Sequence, residues 1–265
     1  VFNKLLYLRP GKNLIKVQAT DENGRSSEQT ITITRIVPKV NTVAERLVVS
    51  LLPFYIDPGF VDIGELAFDN MVTALVQQRR FRYVDRSQVD AAVREMRLSG
   101  RGLTDPNTAV RAGKITNAEA IIIGVVKETE TSIELKTQVV DVESSRIMLT
   151  RDAFHQEKSL ENIRFLAQGL AVKIKNSFPI VTGAISSSQG RAVVINLGSR
   201  QSLRPGMKVV LFKIIPKTDA SGEPIGADTQ KIGEGTIMAV SSSSSTVQVT
   251  SSSSAPQSQD MVVTK

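Results

Sequence analysis

Strict alternation of apolar and polar residues marks both ends of the chain, and helical periodicity marks its middle. Ile15, Val17 and Ala19 fall on one face of an N-terminal strand, and Ile31 and Ile33 on one face of the next, the period-two signature of half-buried strands. Between them Asp21-Glu22-Asn23-Gly24 predicts a hairpin turn, because Asn-Gly accepts the positive φ that tight hairpins require. Leu5 to Leu8 reads as a further strand leading into the turn Arg9-Pro10-Gly11-Lys12-Asn13. Three strands are too few to close a sandwich. Residues 37–46 have no settled period and contain Pro38, so they read as a linker.

The stretch from Leu47 to Gly124 is the organising core. It opens on Leu47-Val48-Val49-Ser50-Leu51-Leu52-Pro53-Phe54 and closes on Ala120-Ile121-Ile122-Ile123-Gly124, two apolar runs of the kind found in strands covered on both faces. Asp57-Pro58-Gly59 predicts a turn after the first run, and Asp62 with Glu65 a capping box for a helix reaching Gln78. That helix carries Ile63, Leu66, Ala67, Met71, Ala74 and Leu75 on one stripe, wide enough to cover a sheet. A short strand at Phe81 to Val84 follows, then a helix capped by Ser87 with Val89, Ala92, Val93 and Met96 at helical spacing. Thr104-Asp105-Pro106 starts a third helix, with proline in the first turn, that ends near Gly113.

After the second apolar run, Glu128 to Thr131 predicts a hairpin loop into an alternating strand over residues 132–142, and residues 146–154 a further strand. Ser159 caps a closing helix whose Ile163, Leu166, Ala167, Leu170 and Ile174 share a face. From Phe178 onward the pattern is β again, with short strands at Ala184-Ile185, Ala192 to Ile195 and Met207 to Phe212. Pro205-Gly206 reads as a turn and Lys217 to Lys231 as a long polar loop. The serine tracts 241–245 and 251–254 flank Thr246 to Thr250 and read as loop enrichment at strand ends.

Composition narrows the chemistry. The 265 residues exceed one domain of ordinary size, and 41% hydrophobic content is enough for real cores. The absence of cysteine removes disulfide frameworks, zinc fingers and thiol catalysis. The single His155 removes multi-histidine metal sites, and in the charged segment Arg151 to Lys158 it reads as a surface residue. Aromatics make up 5% with no tryptophan, too few for base-stacking platforms. Arg111-Ala112-Gly113-Lys114 lacks the upstream glycine of a phosphate loop, and the pairs Asp57/Asp62 and Asp85/Asp90 sit at caps and turns. No catalytic, cofactor-binding or metal-ligating residues are assigned. No run reaches the roughly 18 apolar residues of a spanning helix.

A net charge of +7 and a pI of about 9.7 favour an anionic partner. The basic run Arg79, Arg80, Arg82 and Arg86, continued by Arg94, Arg97 and Arg101, has two readings: a solvated surface, or an interface, where arginine is enriched. Arg79, Arg80, Arg82 and Arg86 are the interface candidates.

Four blocks taken together resemble the curli secretion channel (CsgG) family: Leu51-Leu52-Pro53-Phe54, Phe81 to Asp90, Gly113 to Gly124 and Val140-Asp141-Val142. Asp85 stands where that family usually has Glu, Asn117 where Gly is common, and Ser144-Ser145 in place of a Thr-Gly turn. The chain joins these elements by short loops, without the membrane-spanning hairpins of the channel, so the resemblance implies a soluble periplasmic member of the group. Leu8 to Gly24 resembles the second half of a bacterial Ig-like module. Gly183 to Ile185, Val194 to Gly198, Leu203 to Met207 and Lys231 to Gly235 resemble the C-terminal domain of flagellar assembly protein T, a small β-barrel.

The resulting expectation is an α/β (α+β) central domain over residues 47–178, its mixed sheet covered by helices. A partial Ig-like β-sandwich module over 1–37 and a small β-barrel over 179–265 flank it. The resemblance implies a non-enzymatic scaffold of the bacterial envelope, periplasmic or associated with the outer membrane. Such a protein would oligomerise, as a ring, or dock onto an outer-membrane or appendage complex, its partners being itself and other envelope or appendage proteins, without a cofactor. The alternative is a monomeric binding module for an anionic polymer (peptidoglycan, lipid headgroups or, third in order, nucleic acid) using the arginines. An enzyme built on His155 is a further reading, tested by His155→Ala.

Overall fold

The computed structural model describes residues 6, 8–9, 11–35, 45–56, 61–97, 100–218, 220 and 224–265. The N-terminal alternation forms two antiparallel strands, β1 (Gly11–Thr20) and β2 (Ser26–Arg35), with Ile15 opposite Ile31. Gly24 in the connecting turn has φ 77°, the conformation the Asn-Gly pair predicts. This hairpin is a two-stranded sheet of its own. Leu6 and Leu8 lie in no strand, and the rest of the expected first strand and residues 37–44 of the linker fall outside the described residues.

The central elements run β3 (Val48–Leu51), β4 (Tyr55–Ile56), α1 (Val61–Gln77), β5 (Arg82–Tyr83), α2 (Arg86–Glu95), α3 (Pro106–Ile115), β6 (Ala120–Glu128), β7 (Ile133–Asp141), β8 (Ile147–His155) and α4 (Leu160–Asn176). The sheet order is β5-β3-β6-β7-β8, with β4 pairing with β6 beyond β3. β5, β3 and β6 are parallel, whereas β6, β7 and β8 form an antiparallel meander. The continuous apolar runs are explained by burial on both faces. Val49, Leu51, Ala120 and Ile122 pack with residues of α1 and α4, while Val48, Leu52, Ile121 and Ile123 pack with residues of α2 and α3.

Several helix ends differ from the sequence expectation by a few residues. Asp62 lies inside α1, which starts at Val61; the turn at Asp57 to Gly59 lies outside the described residues. Asp85, not Ser87, is the N-cap of α2: its carboxylate accepts the Ser87 N–H at 2.8 Å, and an ionised acceptor is favoured at a helix N-terminus. The third helix starts at Pro106 as Thr104-Asp105-Pro106 predicts, with Asp105 as its N-cap, and Ser159 caps α4 as expected. Gly113 does not end α3. It lies within the helix, at a position where an added Cβ would come 2.4 Å from Val142 Cγ2. The left-handed residue after the helix is Asn117, at φ 52°. Ser145, in the β7–β8 turn, has φ 61°. Both positions where glycine is common in the resembling family therefore need a conformation that L-residues adopt at a cost, Asn less reluctantly than Ser.

Pro53-Phe54 and Gly124 prove to be two halves of one contact. The Phe54 ring, 6% exposed, lies over Gly124, where an added Cβ would be 2.2 Å from Phe54 Cε1. Phe54 also meets Phe68 of α1 edge-on, with centroids 6.4 Å apart at 85°.

The C-terminal strands β9 (Thr182–Gln189), β10 (Ala192–Ile195), β11 (Lys208–Thr218), β12 (Pro224–Val240), β13 (Ser245–Ser252) and β14 (Met261–Thr264) close a barrel in the order β10-β13-β12-β11-β14-β9. The polar stretch from Lys217 to Lys231 is not a loop. β11 pairs with β14 only as far as Phe212, and beyond it β11 and β12 continue as a two-stranded ribbon, with Lys213 opposite Gln230 and Thr218 opposite Pro224. Backbone pairing to a neighbour forms this ribbon whatever its side-chain polarity, and composition does not show it. Ser241 to Ser244 make a tight turn, but Ser245 belongs to β13, where it is buried and its hydroxyl donates to the Leu197 carbonyl at 2.7 Å.

Candidate functional site

The most elaborate polar structure lies where the barrel meets the central sheet. Phe81, at the end of the α1–β5 connection, packs edge-on against Phe178, which follows α4, with centroids 5.8 Å apart. This apolar contact fixes the position of the preceding residue, Arg80, which is 4% exposed. Its Nε donates to the Phe178 carbonyl at 2.5 Å and its Nη2 to the Lys265 main-chain oxygen at 2.7 Å. The guanidinium also stands 5.0 Å from the centre of the Phe81 ring, a cation–π geometry. One side chain thereby ties α1, the end of α4 and the last barrel strand together. Burial, reinforced by neighbouring Arg46, pushes the Arg80 guanidinium down to about 10. Burial also lowers Arg46.

Beside Arg80 runs a ladder of ion pairs that crosses the seam twice. Glu119, one residue before β6, accepts the Val48 N–H at 2.9 Å and pairs with the Lys265 ammonium at 2.6 Å. Lys265 also meets Glu234 of β12 at 2.7 Å, Glu234 meets Lys231 at 2.5 Å, and Lys231 meets Glu45 at 2.7 Å. Burial alone would raise the Glu234 carboxyl, but the ammonium groups of Lys231 and Lys265 hold it below the ordinary carboxylate range. Elsewhere on the seam Lys208 of β11 pairs with Glu143 at 3.0 Å and Asp141 at 3.4 Å. Arg204 donates to the Ser177 carbonyl, and Arg151 to the Ser177 hydroxyl at 2.9 Å.

A cavity of about 340 Å³ opens on the ladder, lined among others by Arg46, Arg82, Asn117 and Glu119. Its carboxylates Glu45, Glu119 and Glu234 are each engaged by a lysine. A carboxylate held in that way is a poor general base. What the arrangement does is hold the barrel against the central sheet. Among the described residues no group of three or more His, Cys, Asp or Glu side chains converges as metal ligands would. His155 sits at the end of β8 with its Nδ1 against the Glu157 N–H at 3.0 Å.

The four arginines of the basic run do not share one surface. Arg79 is exposed at the end of α1 with φ 49°. Arg80 points into the seam, so it is unavailable to an outside partner. Arg82 is exposed on the edge strand β5 and lines the cavity. Arg86 pairs with Asp69 and with Asp90 and lies 5.0 Å from the Phe68 ring centre. Sequence reasoning missed Glu45, Glu119, Lys231, Glu234 and Lys265, which are far apart along the chain. The one available signal was Glu119, a lone charge at the head of an otherwise apolar strand.

Comparison with known proteins places one part of this architecture. Residues 55–138 match the family described as curli production assembly/transport component CsgG. The CsgG-like segment holds two of the four blocks in full; residues 51–54 directly precede it, and residues 140–142 begin just beyond its end. It reaches neither the N-terminal hairpin nor the barrel, so the likenesses to an Ig-like module and to flagellar assembly protein T rest on the residues quoted above alone. No curated protein matches the chain.

Among solved structures, the LpoB C-terminal domain from Salmonella enterica is 15% identical, covering 45% of this chain and 88% of that one, with a TM-score of 0.36. Lipoprotein GNA1162 from Neisseria meningitidis is 12% identical over 49% of this chain and 99% of its own, with a TM-score of 0.37. A PelC dodecamer from Paraburkholderia phytofirmans is 14% identical over 50% of this chain and 89% of its own, with a TM-score of 0.34. At such scores and identities the likeness says nothing of function. No helix among the described residues is long and apolar enough to cross a membrane.

Proposed function

We propose that this protein is a non-enzymatic assembly or scaffold subunit of the bacterial cell envelope, periplasmic or associated with the outer membrane. The observation that carries the reading is the CsgG-like match over the helix-covered core of the sheet. The geometry of the seam is compatible with it: the polar groups of the seam fasten the barrel to the sheet, and the carboxylates that line its cavity are each paired with a lysine. In this reading the α/β domain oligomerises or docks onto an outer-membrane or appendage complex, and the β modules contact neighbours. The alternative, an arginine surface for an anionic polymer, has less support, because Arg80 is buried and Arg86 is paired with two aspartates.

The test is the size of the purified chain by light scattering over a concentration series, electron microscopy of the particle, and cross-linked partners recovered from envelope extracts. A discrete oligomer or an envelope protein recovered reproducibly is expected. A strict monomer at high concentration with no recovered partner overturns the proposal. Salt-sensitive binding to anionic vesicles or peptidoglycan, lost on replacing Arg79 and Arg82 by alanine, would favour the alternative instead.

A further inference from the structure

Among the described residues, nothing covers the outer face of α4. Phe165 is 69% exposed and Val172 46% exposed, and with Glu161 and Gln168 they are spaced four, three and four residues apart. That spacing keeps them on one stripe, the seam of an antiparallel helix pair. Gly169 sits within this face, in mid-helix, where glycine weakens a helix relative to alanine. Two other helical glycines have a steric reason for lacking a side chain. A Cβ on Gly64 of α1 would lie 1.6 Å from Ile56 Cδ1, and one on Gly113 would lie 2.4 Å from Val142. A Cβ on Gly169 would meet nothing within 4 Å. Among the described residues nothing requires the missing side chain there, and the open space beside it is room for a group that approaches from outside.

The charges on the helix identify the occupant. Glu161 lies in the first turn, and Lys173 and Lys175 in the last, so the face is complementary to itself when turned end for end. We infer that α4 pairs antiparallel with α4 of a second copy across a two-fold axis midway between Phe165 and Gln168, with each Phe165 seated beside Gln168 and Gly169 of the other copy. In that arrangement Glu161 faces Val172 of the second copy and is flanked by its Lys175, and the two helix dipoles oppose each other. Of the two last-turn lysines, Lys173 already donates to the Asp152 carbonyl at 2.7 Å, which leaves Lys175 as the last-turn cation for the pair. The inference rests on the assembly reading and names one of its surfaces. A 17-residue helix is about 26 Å long, and a single helix pair buries less than the roughly 1,600 Å² of a standard stable interface. The pair is therefore expected to be weak, with a Kd on the order of 1–100 μM, and to gain strength inside a larger assembly.

Sedimentation velocity on the full chain over a concentration series tests it. Wild type is expected to show a reversible dimer, Phe165→Glu to weaken it at least about tenfold, and Glu161→Lys to weaken it several-fold, with the Glu161→Lys/Lys175→Glu double variant restoring it. Gly169→Ala is expected to raise the melting temperature of the monomer and weaken the dimer, opposite signs that a purely structural role would not produce. Because the chain has no cysteine, Gln168→Cys should give a disulfide-linked dimer on mild oxidation, in proportion to the pair present. If wild type still assembles or binds envelope proteins and Phe165→Glu leaves this unchanged, the α4 pairing is wrong and the assembly reading stands. If a different protein occupies this face, or the wild-type chain is monomeric up to millimolar concentration, the pairing is likewise overturned. Failure of the assembly reading itself requires, in addition, that no envelope partner is recovered.

Discussion

Gly124→Ala probes the contact that joins two of the family-resembling blocks. The added methyl would sit 2.2 Å from Phe54 Cε1 and 2.3 Å from Cδ1, against an ordinary carbon–carbon separation of about 3.5–4.0 Å. The ring would have to move by roughly 1.5 Å. It has little freedom to do so, since it is 6% exposed and braced edge-on by Phe68. Overpacking of this kind costs about 1–3 kcal/mol, offset by about 0.5–1 kcal/mol because alanine is the better strand residue. A net loss of about 1–2 kcal/mol is expected. In a chain of this size that corresponds to a fall in Tm of roughly 2–8 °C. The assay is urea unfolding followed by circular dichroism, with hydrogen exchange on β6 to locate the loss. Phe54→Leu, made alone and together with Gly124→Ala, completes a double-mutant cycle, and a coupling of about 1 kcal/mol or more is expected because the smaller side chain relieves the clash. A Gly124→Ala protein as stable as wild type, or a coupling near zero, would refute the claim that glycine is required here for space.

Other consequences follow from the seam and from the backbone. Arg80→Ala leaves the Phe178 and Lys265 carbonyl oxygens without their donor, so a loss of roughly 2–4 kcal/mol is expected; faster proteolysis between α4 and β9 would report it, and unchanged proteolysis would count against the clamp. Glu234 is held below its ordinary pKa of 4.5, so its contribution is complete above that value and disappears as pH falls through its folded value. Melting temperature should therefore drop in acid, less steeply in Glu234→Gln, and identical pH profiles would exclude this contribution. Ser145 holds φ 61°, so Ser145→Gly should stabilise by about 0.5–1 kcal/mol in thermal melts, and a loss of stability there would contradict the backbone assignment.

The elements of this protein were legible from its periodicity wherever a face is buried. Helices α1 to α4, the strands β6, β7 and β8, and the hairpin at Gly24 follow from spacing and turn chemistry, because burial against a neighbour imposes a period of 3.6 or 2 on the residues that face it. Ser159 was readable as a cap, and Thr104-Asp105-Pro106 as a helix start, for the same local reason. Where two local choices compete, as for Asp85 and Ser87, the winner depends on where the chain enters the helix, and the sequence allows both. The β11–β12 ribbon was unreadable, since its pairing is satisfied by the backbone and leaves little apolar signature.

The placement of the site was decided by tertiary structure. Arg79, Arg80, Arg82 and Arg86 form one basic cluster on paper, yet the edge-on packing of Phe81 against Phe178 turns Arg80 inward while Arg79 and Arg82 stay exposed. Glu45, Glu119, Lys231, Glu234 and Lys265 carry no shared local pattern, and only the docking of the barrel on the sheet brings them together. Local sequence determines which surface each element can bury. Which charges meet depends on how those surfaces are packed, because an ion pair is set by distance in space and leaves no period along the chain.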